Sequence, residues 1–176
     1  MILDFLYTSA KLKKIPRQGW IEKLAINHPE SVADHTYSMA IMGMIFSDMK
    51  NYDTGKILKI VLLHDLVESI TGDMTPEQIS KDEKIDLENK TIKIILKDLP
   101  KLLQKQYNVL WDEYQSNKSI EARFVHQIDK LEMALQAKIY RDEGSDDKKT
   151  DIFFNSAKNS ITDPNLLEIF KEISRR

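Results

Sequence analysis

The sequence has 176 residues, of which 41% are hydrophobic and 31% are charged. This composition suits one compact soluble domain rather than a disordered or fibrous chain. The 26 Lys and Arg residues nearly balance the 28 Asp and Glu residues, and the net charge of −2 supplies no basic field for a nucleic-acid polymer. The absence of cysteine excludes a disulfide scaffold, thiolate-bound zinc and a cysteine nucleophile.

The sequence also argues against a membrane protein. No segment approaches the roughly 18 consecutive apolar residues that a transmembrane helix needs. The N-terminal segment carries an acid at Asp4 and only a short apolar stretch, which is a poor signal peptide. We therefore expect a cytoplasmic protein without membrane contact.

Helical periodicity runs along most of the chain, and most Pro and Gly residues lie between the periodic segments. The third predicted helix starts from a capping box, with Thr75 as N-cap, Pro76 at the first position and Gln78 at the third. The charged stretch 141–151 is aperiodic and predicts a solvated connection. Because no window alternates with period two, we predict an all-α fold, a single compact helical bundle. Its predicted helices span residues 31–49, 56–70, 75–98, 101–115, 119–142, 152–158 and 164–174.

Four polar side chains occupy helix faces that should be apolar. His35 lies four residues before Met39 on the apolar stripe of its helix. His64 and Asp65 are adjacent within the helix that we expect to be the most buried, and Asp129 lies on the apolar face of the long helix 119–142. A buried ionisable group costs free energy unless it is paired or binds a metal.

Each of these residues alone has a structural explanation, such as a core histidine bonded to a carbonyl. Together, two imidazoles and two carboxylates from three helices predict a divalent cation, and N/O ligands suit Mn, Co, Ni, Fe, Zn or Mg. Glu68 follows His64 by one helical turn and can orient or deprotonate a water molecule. We expect His28 and His126 to be structural or exposed.

The spacing of His35, the His64–Asp65 pair and Asp129 resembles the H…HD…D ligand set of the HD-domain metal-dependent phosphohydrolases. The surrounding segments resemble the 5′-deoxynucleotidase family within that group. They are KKIPRQGW (13–20), HPESVADHTYSMA (28–40), LLHDLVESITGDMTP (62–76) and FVHQIDKLEMALQA (124–137). The resemblance is strongest over residues 11–137, and it implies that residues 1–176 form one HD domain with C-terminal helices in 150–176 packed on it.

The same resemblance implies roles for further residues. It makes Glu68 the catalytic acidic residue and places Asp73 of the TGD segment near the sugar and the leaving oxygen. In some relatives these two carboxylates also approach a second metal. It implies that Arg17 grips the substrate phosphate, for which a guanidinium is suited by its two parallel N–H donors. It places Thr75 in a loop that closes on the nucleoside.

Two residues near the N-terminus keep alternative interpretations. Without the resemblance, we interpret Arg17 as a solvated arginine in a basic turn. We interpret Trp20 as a core residue rather than as a side chain that contacts the base of the substrate. In some deoxynucleotidases a tryptophan directly follows the phosphate-binding arginine and helps to exclude a ribose 2′-hydroxyl, whereas Gln18 follows Arg17 here. The preference for deoxyribose is therefore less firmly implied than phosphatase activity.

The leading hypothesis is a metal-dependent 5′-deoxynucleotidase that converts small deoxyribonucleoside 5′-monophosphates into deoxynucleosides and phosphate. The alternatives are an HD-type phosphodiesterase or nucleotide pyrophosphohydrolase, and a non-catalytic helical binding protein. The resemblance implies a homodimer, and we interpret Leu110, Trp111 and Tyr114 as an apolar set that either forms a two-fold interface or packs within the chain.

Overall fold

The computed structural model describes residues 1–175, which form ten α-helices and one short 3-10 helix, Lys11–Lys14. No β-strand occurs in this range, and one isolated antiparallel bridge joins Pro16 to Ser31. The predicted all-α fold is confirmed. The helices are α1 (Ile2–Ala10), α2 (Gln18–Leu24), α3 (Val32–Lys50), α4 (Thr54–His64), α5 (Glu68–Thr71), α6 (Lys81–Leu96), α7 (Lys101–Ser116), α8 (Ile120–Asp142), α9 (Asp147–Ser160) and α10 (Pro164–Arg175).

Side-chain caps fix the start of several predicted helices. Ser31 accepts from the Asp34 backbone amide while Asp34 accepts from the Ser31 amide, a capping box that begins α3. The hydroxyl of Ser119 caps the start of α8 by accepting a hydrogen bond from a backbone amide in its first turn. Asp163 Oδ1 accepts in the same way from two amides in the first turn of α10. The predictions for α3, α7, α8 and α10 agree with the structure to within one residue at each end.

The predicted helix 56–70 is interrupted, and the prediction of a single element was wrong. Helix α4 ends at His64, and α5 begins at Glu68. Between them the Leu66 and Glu68 amides bond to carbonyls three residues back, at 3.1 and 3.0 Å, so the chain turns more tightly than an α-helix. The hydrophobic pattern did not reveal this turn because its residues are as buried as those of a continuous helix.

The predicted helix start at Thr75 was also wrong. Residues 76–78 form a turn, and α6 begins after Ser80, which makes a capping box with Glu83. The Thr75 hydroxyl donates instead to Glu22 Oε2 at 2.8 Å. The Gln78 side chain still reaches back to the Thr75 amide at 3.4 Å, so the capping motif closes a turn without starting a helix.

Helix α9 begins at Asp147, five residues before the predicted start, so the supposed solvated connection 141–151 is partly helical. Asp146 caps it by accepting from the Lys149 amide at 3.1 Å. Arg141 donates to the hydroxyl of Thr150, which is fully buried. These polar contacts stabilise a first turn that has no apolar periodicity.

Helix α8 is the central element of the core. Its fully buried residues in this core pack against α3, α4, α9 and α10, and they include Val125, Ile128, Leu131, Ala134 and Ala137. A second apolar cluster joins α6 and α7 to the turn after α4. Trp111 is 1% exposed within that cluster, and Leu110 and Tyr114 are half-buried. Of the two interpretations that the sequence leaves open for these residues, the structure agrees with packing within the chain.

No helix within residues 1–175 combines the length and the apolar character that crossing a bilayer demands.

Candidate metal centre

The structure brings together the four residues that the sequence singles out, from α3, the end of α4, the following turn and α8. His35 Nε2 lies 3.4 Å from Asp129 Oδ1 and 3.8 Å from Asp65 Oδ2. His64 Nε2 lies 3.1 Å from the same oxygen of Asp65. One ligand atom each from His35, His64 and Asp129 fits within 4.8 Å of the others, a separation that suits a shared cation. The side chains therefore point toward a common centre.

The two nitrogens of each central imidazole have different surroundings, and the difference is the same in both histidines. His64 Nδ1 lies 2.6 Å from the Val61 carbonyl, and His35 Nδ1 lies 2.5 Å from Glu132 Oε2. Both Nε2 atoms are buried and make no hydrogen bond within the described chain. A nitrogen that lacks a partner in a dry interior is costly, and a metal ion satisfies it while the other nitrogen is held by an acceptor. The donor set thus fits a divalent cation.

Electrostatics divide the centre into carboxylates that stay ionised and a histidine that attracts a proton. Burial raises the pKa of Asp65, but the charges of His64 and Arg17 outweigh it and hold that pKa below the ordinary value. For Asp129, burial is outweighed by Lys130, and its pKa is also lowered. Burial and Arg17 lower the pKa of His35, yet its carboxylate contacts raise it to about 9. The cluster therefore attracts positive charge.

Glu68 behaves differently from the other carboxylates. It begins α5, is 3% exposed, and its Oε2 has no hydrogen-bond partner within residues 1–175. Burial, with the charges of Asp65 and Asp73, raises its pKa well above the ordinary value, against the pull of Arg17 and Lys84. A raised pKa makes a glutamate a stronger proton acceptor than its exposed counterpart, which suits a general acid or base.

Arg17 lies at the edge of the centre. Its Nη1 is 3.6 Å from Asp65 Oδ2, and its Nε is 4.0 Å from Glu30 Oε1. The side chain is 17% exposed, so the interpretation as a freely solvated arginine was wrong. Asp73 lies beside it, because its Oδ2 accepts from the Gln18 amide at 2.7 Å. A guanidinium has five N–H donors, and two nearby carboxylates do not use all of them, so Arg17 retains N–H groups that can bind an anion.

The remaining predicted residues lie farther from the centre. Trp20 is 2% exposed and donates to Glu30, which agrees with core filling. Thr75 is buried and bonds to α2 through Glu22, so the structure places it beside the Arg17 segment without a contact to the four central residues. His126 stacks on Tyr114 at 4.2 Å and is structural. His28 is exposed.

Four charged residues at the centre were not found from the sequence. Lys130 Nζ pairs with Asp129 Oδ2 at 2.9 Å, and Lys84 Nζ lies 3.9 Å from Glu68 Oε1. One carboxylate oxygen each of Glu30 and Glu132 lies within 4.8 Å of a ring nitrogen of His35. Glu132 follows Asp129 by three residues on α8, and this one-turn spacing to a predicted ligand was the available signal.

An open cleft of about 700 Å³ borders the centre through Asp129. Its lining carries four basic side chains and two carboxylates, together with amides and the rings of Tyr114 and His126, and the excess of positive charge suits a polar, anionic small molecule. The lining that faces the centre includes Lys84, Glu88, Tyr114, Asp129 and Lys130.

This helical bundle with its His-rich centre belongs to the HD-domain family, whose family model matches residues 9–169. Within that family, the chain is 36% identical to the human 5′-deoxynucleotidase HDDC2 over 173 residues, which cover 98% of this chain and 84% of the relative. It is 38% identical to the Dictyostelium discoideum 5′-deoxynucleotidase HDDC2 over an alignment of 183 residues, which covers 98% of this chain and 94% of the relative. The PH0347 protein from Pyrococcus horikoshii superposes with a TM-score of 0.80 at 30% identity, covering 98% of each chain.

Proposed function

We propose that the chain is a metal-dependent 5′-deoxynucleotidase that hydrolyses deoxyribonucleoside 5′-monophosphates to deoxynucleosides and phosphate. The observation that carries this proposal is the pair of buried, unpartnered Nε2 atoms of His35 and His64 facing Asp65 and Asp129. The relatives that cover nearly the whole chain are 5′-deoxynucleotidases, which supports this reaction over the phosphodiesterase and pyrophosphohydrolase alternatives.

In this proposal His35, His64, Asp65 and Asp129 hold one divalent ion from the set Mn, Co, Ni, Fe, Zn and Mg. When bound, such an ion lowers the pKa of a water molecule and neutralises phosphate charge. The raised pKa of Glu68 supports its role as the residue that orients the attacking water and takes up its proton. The family resemblance assigns Asp73 to the sugar and the leaving oxygen, and its position beside the Arg17 segment, where its Oδ2 accepts from the Gln18 amide, supports this assignment. Glu68 and Asp73 together are the candidates for a second metal.

Substrate binding is proposed for the groups around the centre. Arg17 binds two phosphate oxygens through its guanidinium, and Lys84 and Lys130 add positive charge on the side of the cleft. The loop with Thr75 contacts the nucleoside from the α2 side, where its hydroxyl is anchored by Glu22. A preference for deoxyribose would depend on residues other than a tryptophan after Arg17, because Gln18 occupies that position.

We further propose that residues 1–176 form one HD domain, since α9 and α10 share a core with α8. We also propose that the protein is a cytoplasmic homodimer acting on a small nucleotide. Arg176 lies outside the described residues. The family resemblance supports the dimer, and α3 carries an exposed apolar row that a second copy would cover. The row consists of Tyr37, Ile41, Met44, Ile45 and Met49. Light scattering on the purified protein tests the dimer, and a monomeric mass at micromolar concentration contradicts it.

A product screen tests the proposed reaction. The metal-free protein is incubated with ribo- and deoxyribonucleoside 5′-monophosphates, with and without Mn²⁺ or Co²⁺, and inorganic phosphate and nucleoside are measured together. We expect equimolar phosphate and deoxynucleoside only when metal is present. Full turnover in the chelated protein, or the release of pyrophosphate or an opened cyclic nucleotide instead of phosphate, contradicts the proposal.

A further inference from the structure

A buried carboxylate lies directly behind one of the two central imidazoles. Glu132 projects from α8, its side chain is 2% exposed, and its Oε2 lies 2.5 Å from Nδ1 of His35, which is fully buried. Within residues 1–175, His35 is the only hydrogen-bonding and ion-pairing partner of the Glu132 side chain. A carboxylate without a Lys or Arg partner is expensive to bury, and a glutamine of the same size would lower that cost.

The contact decides which nitrogen of His35 carries the proton. A neutral imidazole has one N–H and one lone pair, and an ionised carboxylate can only accept. In the neutral imidazole that a metal binds, Glu132 therefore keeps the proton on Nδ1 and leaves the lone pair on Nε2, the atom that faces Asp65 and Asp129. Histidines that bind metals commonly give their other N–H to a carboxylate or carbonyl, which fixes the ring and raises its basicity.

The two central histidines differ in this support. His64 donates to the carbonyl of Val61, a neutral acceptor on its own helix, whereas His35 is held by a charged acceptor on another helix. A charge-assisted hydrogen bond is about twice as strong as a neutral one. The bond also ties α3 to α8, the two helices that carry His35 and Asp129.

We propose that Glu132 is a positioning residue that fixes the tautomer and orientation of His35 and thereby sets the affinity of the centre for its divalent cation. This inference rests on the proposed function for the existence of the cation. It goes further by distinguishing the two imidazoles, because only His35 is bonded to a carboxylate, and that carboxylate contacts Nδ1 rather than the Nε2 atom that faces Asp65 and Asp129.

A neighbouring glutamate supplies a matched control. Glu30 is nearly as buried, with a side chain that is 8% exposed, and one of its oxygens lies within 4.8 Å of the His35 and Glu132 ligand atoms. Its Oε1 accepts a hydrogen bond from Trp20 Nε1 at 2.9 Å and has no hydrogen bond with the imidazole. Glu30→Gln therefore removes a nearby carboxylate charge while it preserves the His35–Glu132 bond.

The test is calorimetric titration of the metal-free protein with Mn²⁺, with ¹⁵N NMR of the histidine rings and circular dichroism of each variant. We expect Glu132→Gln to bind Mn²⁺ about 10- to 100-fold more weakly, the range for loss of an outer-shell carboxylate. The His35 ring should show a changed proton distribution between its nitrogens. Glu30→Gln should bind Mn²⁺ within about threefold of the wild type, because Glu30 bonds to Trp20 and has no hydrogen bond to the imidazole of His35.

Glu132→Asp is the second variant in case Glu132→Gln does not fold, because aspartate keeps the negative charge on a side chain that is one methylene shorter. A Mn²⁺ affinity between the wild-type value and that expected for Glu132→Gln supports the inference. Wild-type affinity in Glu132→Gln or Glu132→Asp, or an equal loss in Glu30→Gln, overturns it. If the wild type itself binds neither Mn²⁺ nor Co²⁺, the proposed function fails instead, so the two failures are distinguishable.

Discussion

His64 and Asp65 are adjacent in the sequence, yet His64 Nε2 lies 3.1 Å from Asp65 Oδ2. Consecutive side chains of a regular α-helix point about 100° apart, since the helix has 3.6 residues per turn, and they do not face one point. Here α4 ends at His64, and Asp65 adopts φ −106° and ψ 10°. The interruption of the helix is therefore what lets both side chains of the HD pair face the same centre.

Replacing His64 by alanine should remove the metal and the activity together. The substitution deletes one of the two unpartnered nitrogens, and it lies at the last residue of α4, where the hydrogen-bonded helix is already ending. We expect unchanged helix content by circular dichroism, with metal content and phosphate release both reduced at least 100-fold, the usual scale for a lost ligand or catalytic group. His28→Ala, at an exposed histidine, is the control and should match the wild type. Full metal occupancy in His64→Ala would show that the ion is held elsewhere.

Replacing Glu68 by glutamine should lower kcat and spare the metal. Glutamine keeps the shape of the side chain but cannot accept the proton, and general acid–base catalysis typically contributes 10²- to 10⁴-fold. We expect a loss of kcat in this range, a KM within about threefold of the wild type and Mn²⁺ still bound at the site formed by His35, His64, Asp65 and Asp129. Steady-state phosphate release and metal analysis on the same preparation decide the matter. A loss of metal in parallel with kcat would identify Glu68 as a ligand rather than a base.

Replacing Arg17 by lysine should weaken phosphate binding although the charge is kept. A lysine offers a point charge in place of two parallel N–H donors, and a hydrogen bond to a charged group is worth about 1.5–3 kcal/mol. We therefore expect kcat/KM for a deoxyribonucleoside monophosphate to fall by about 10- to 100-fold. Lys14→Ala, a nearby exposed lysine, should leave it unchanged. Equal kcat/KM for Arg17→Lys and the wild type would place the phosphate elsewhere, with Lys84 and Lys130 as the next candidates.

The sequence predicted the helical class and the four central residues because a histidine or aspartate on an apolar stripe is visible in the hydrophobic pattern. It did not predict the interruption after His64, since buried turns and buried helices share the same apolar composition. It also missed Glu132 and Lys130. In a one-dimensional pattern these residues are ordinary charges on a long helix, and only the packing of α8 against α3 gives Glu132 its partner.

Truncating Ile128 should destabilise the whole domain, because this residue is fully buried at the centre of the larger apolar cluster. Ile→Ala substitutions in cores typically cost about 2–5 kcal/mol, the lost transfer free energy plus the cavity. We expect Ile128→Ala to lower the free energy of unfolding by this amount in urea titrations, with an unchanged slope. Ile152→Ala, at an exposed position of α9, should cost less than about 0.5 kcal/mol. Equal costs at the two positions would mean that α8 is not the core helix.

Lys56 forms ion pairs with Glu113 and Glu121 and so joins α4 to α7 and α8. We expect these ion pairs to make the free energy of unfolding decrease as the pH falls into the acid range. Burial raises the pKa of Glu113, but the bond to Lys56 outweighs it and holds the pKa below the ordinary value of 4.5. A carboxylate with a lowered folded-state pKa contributes stability above the unfolded pKa, and this contribution is lost as the pH falls through the folded pKa. We expect Glu113→Gln to be less stable than the wild type at pH 7 and the difference to vanish well below pH 4, measured by urea unfolding at both pH values. A difference that persists or grows in acid would show that Glu113 acts through packing rather than through charge.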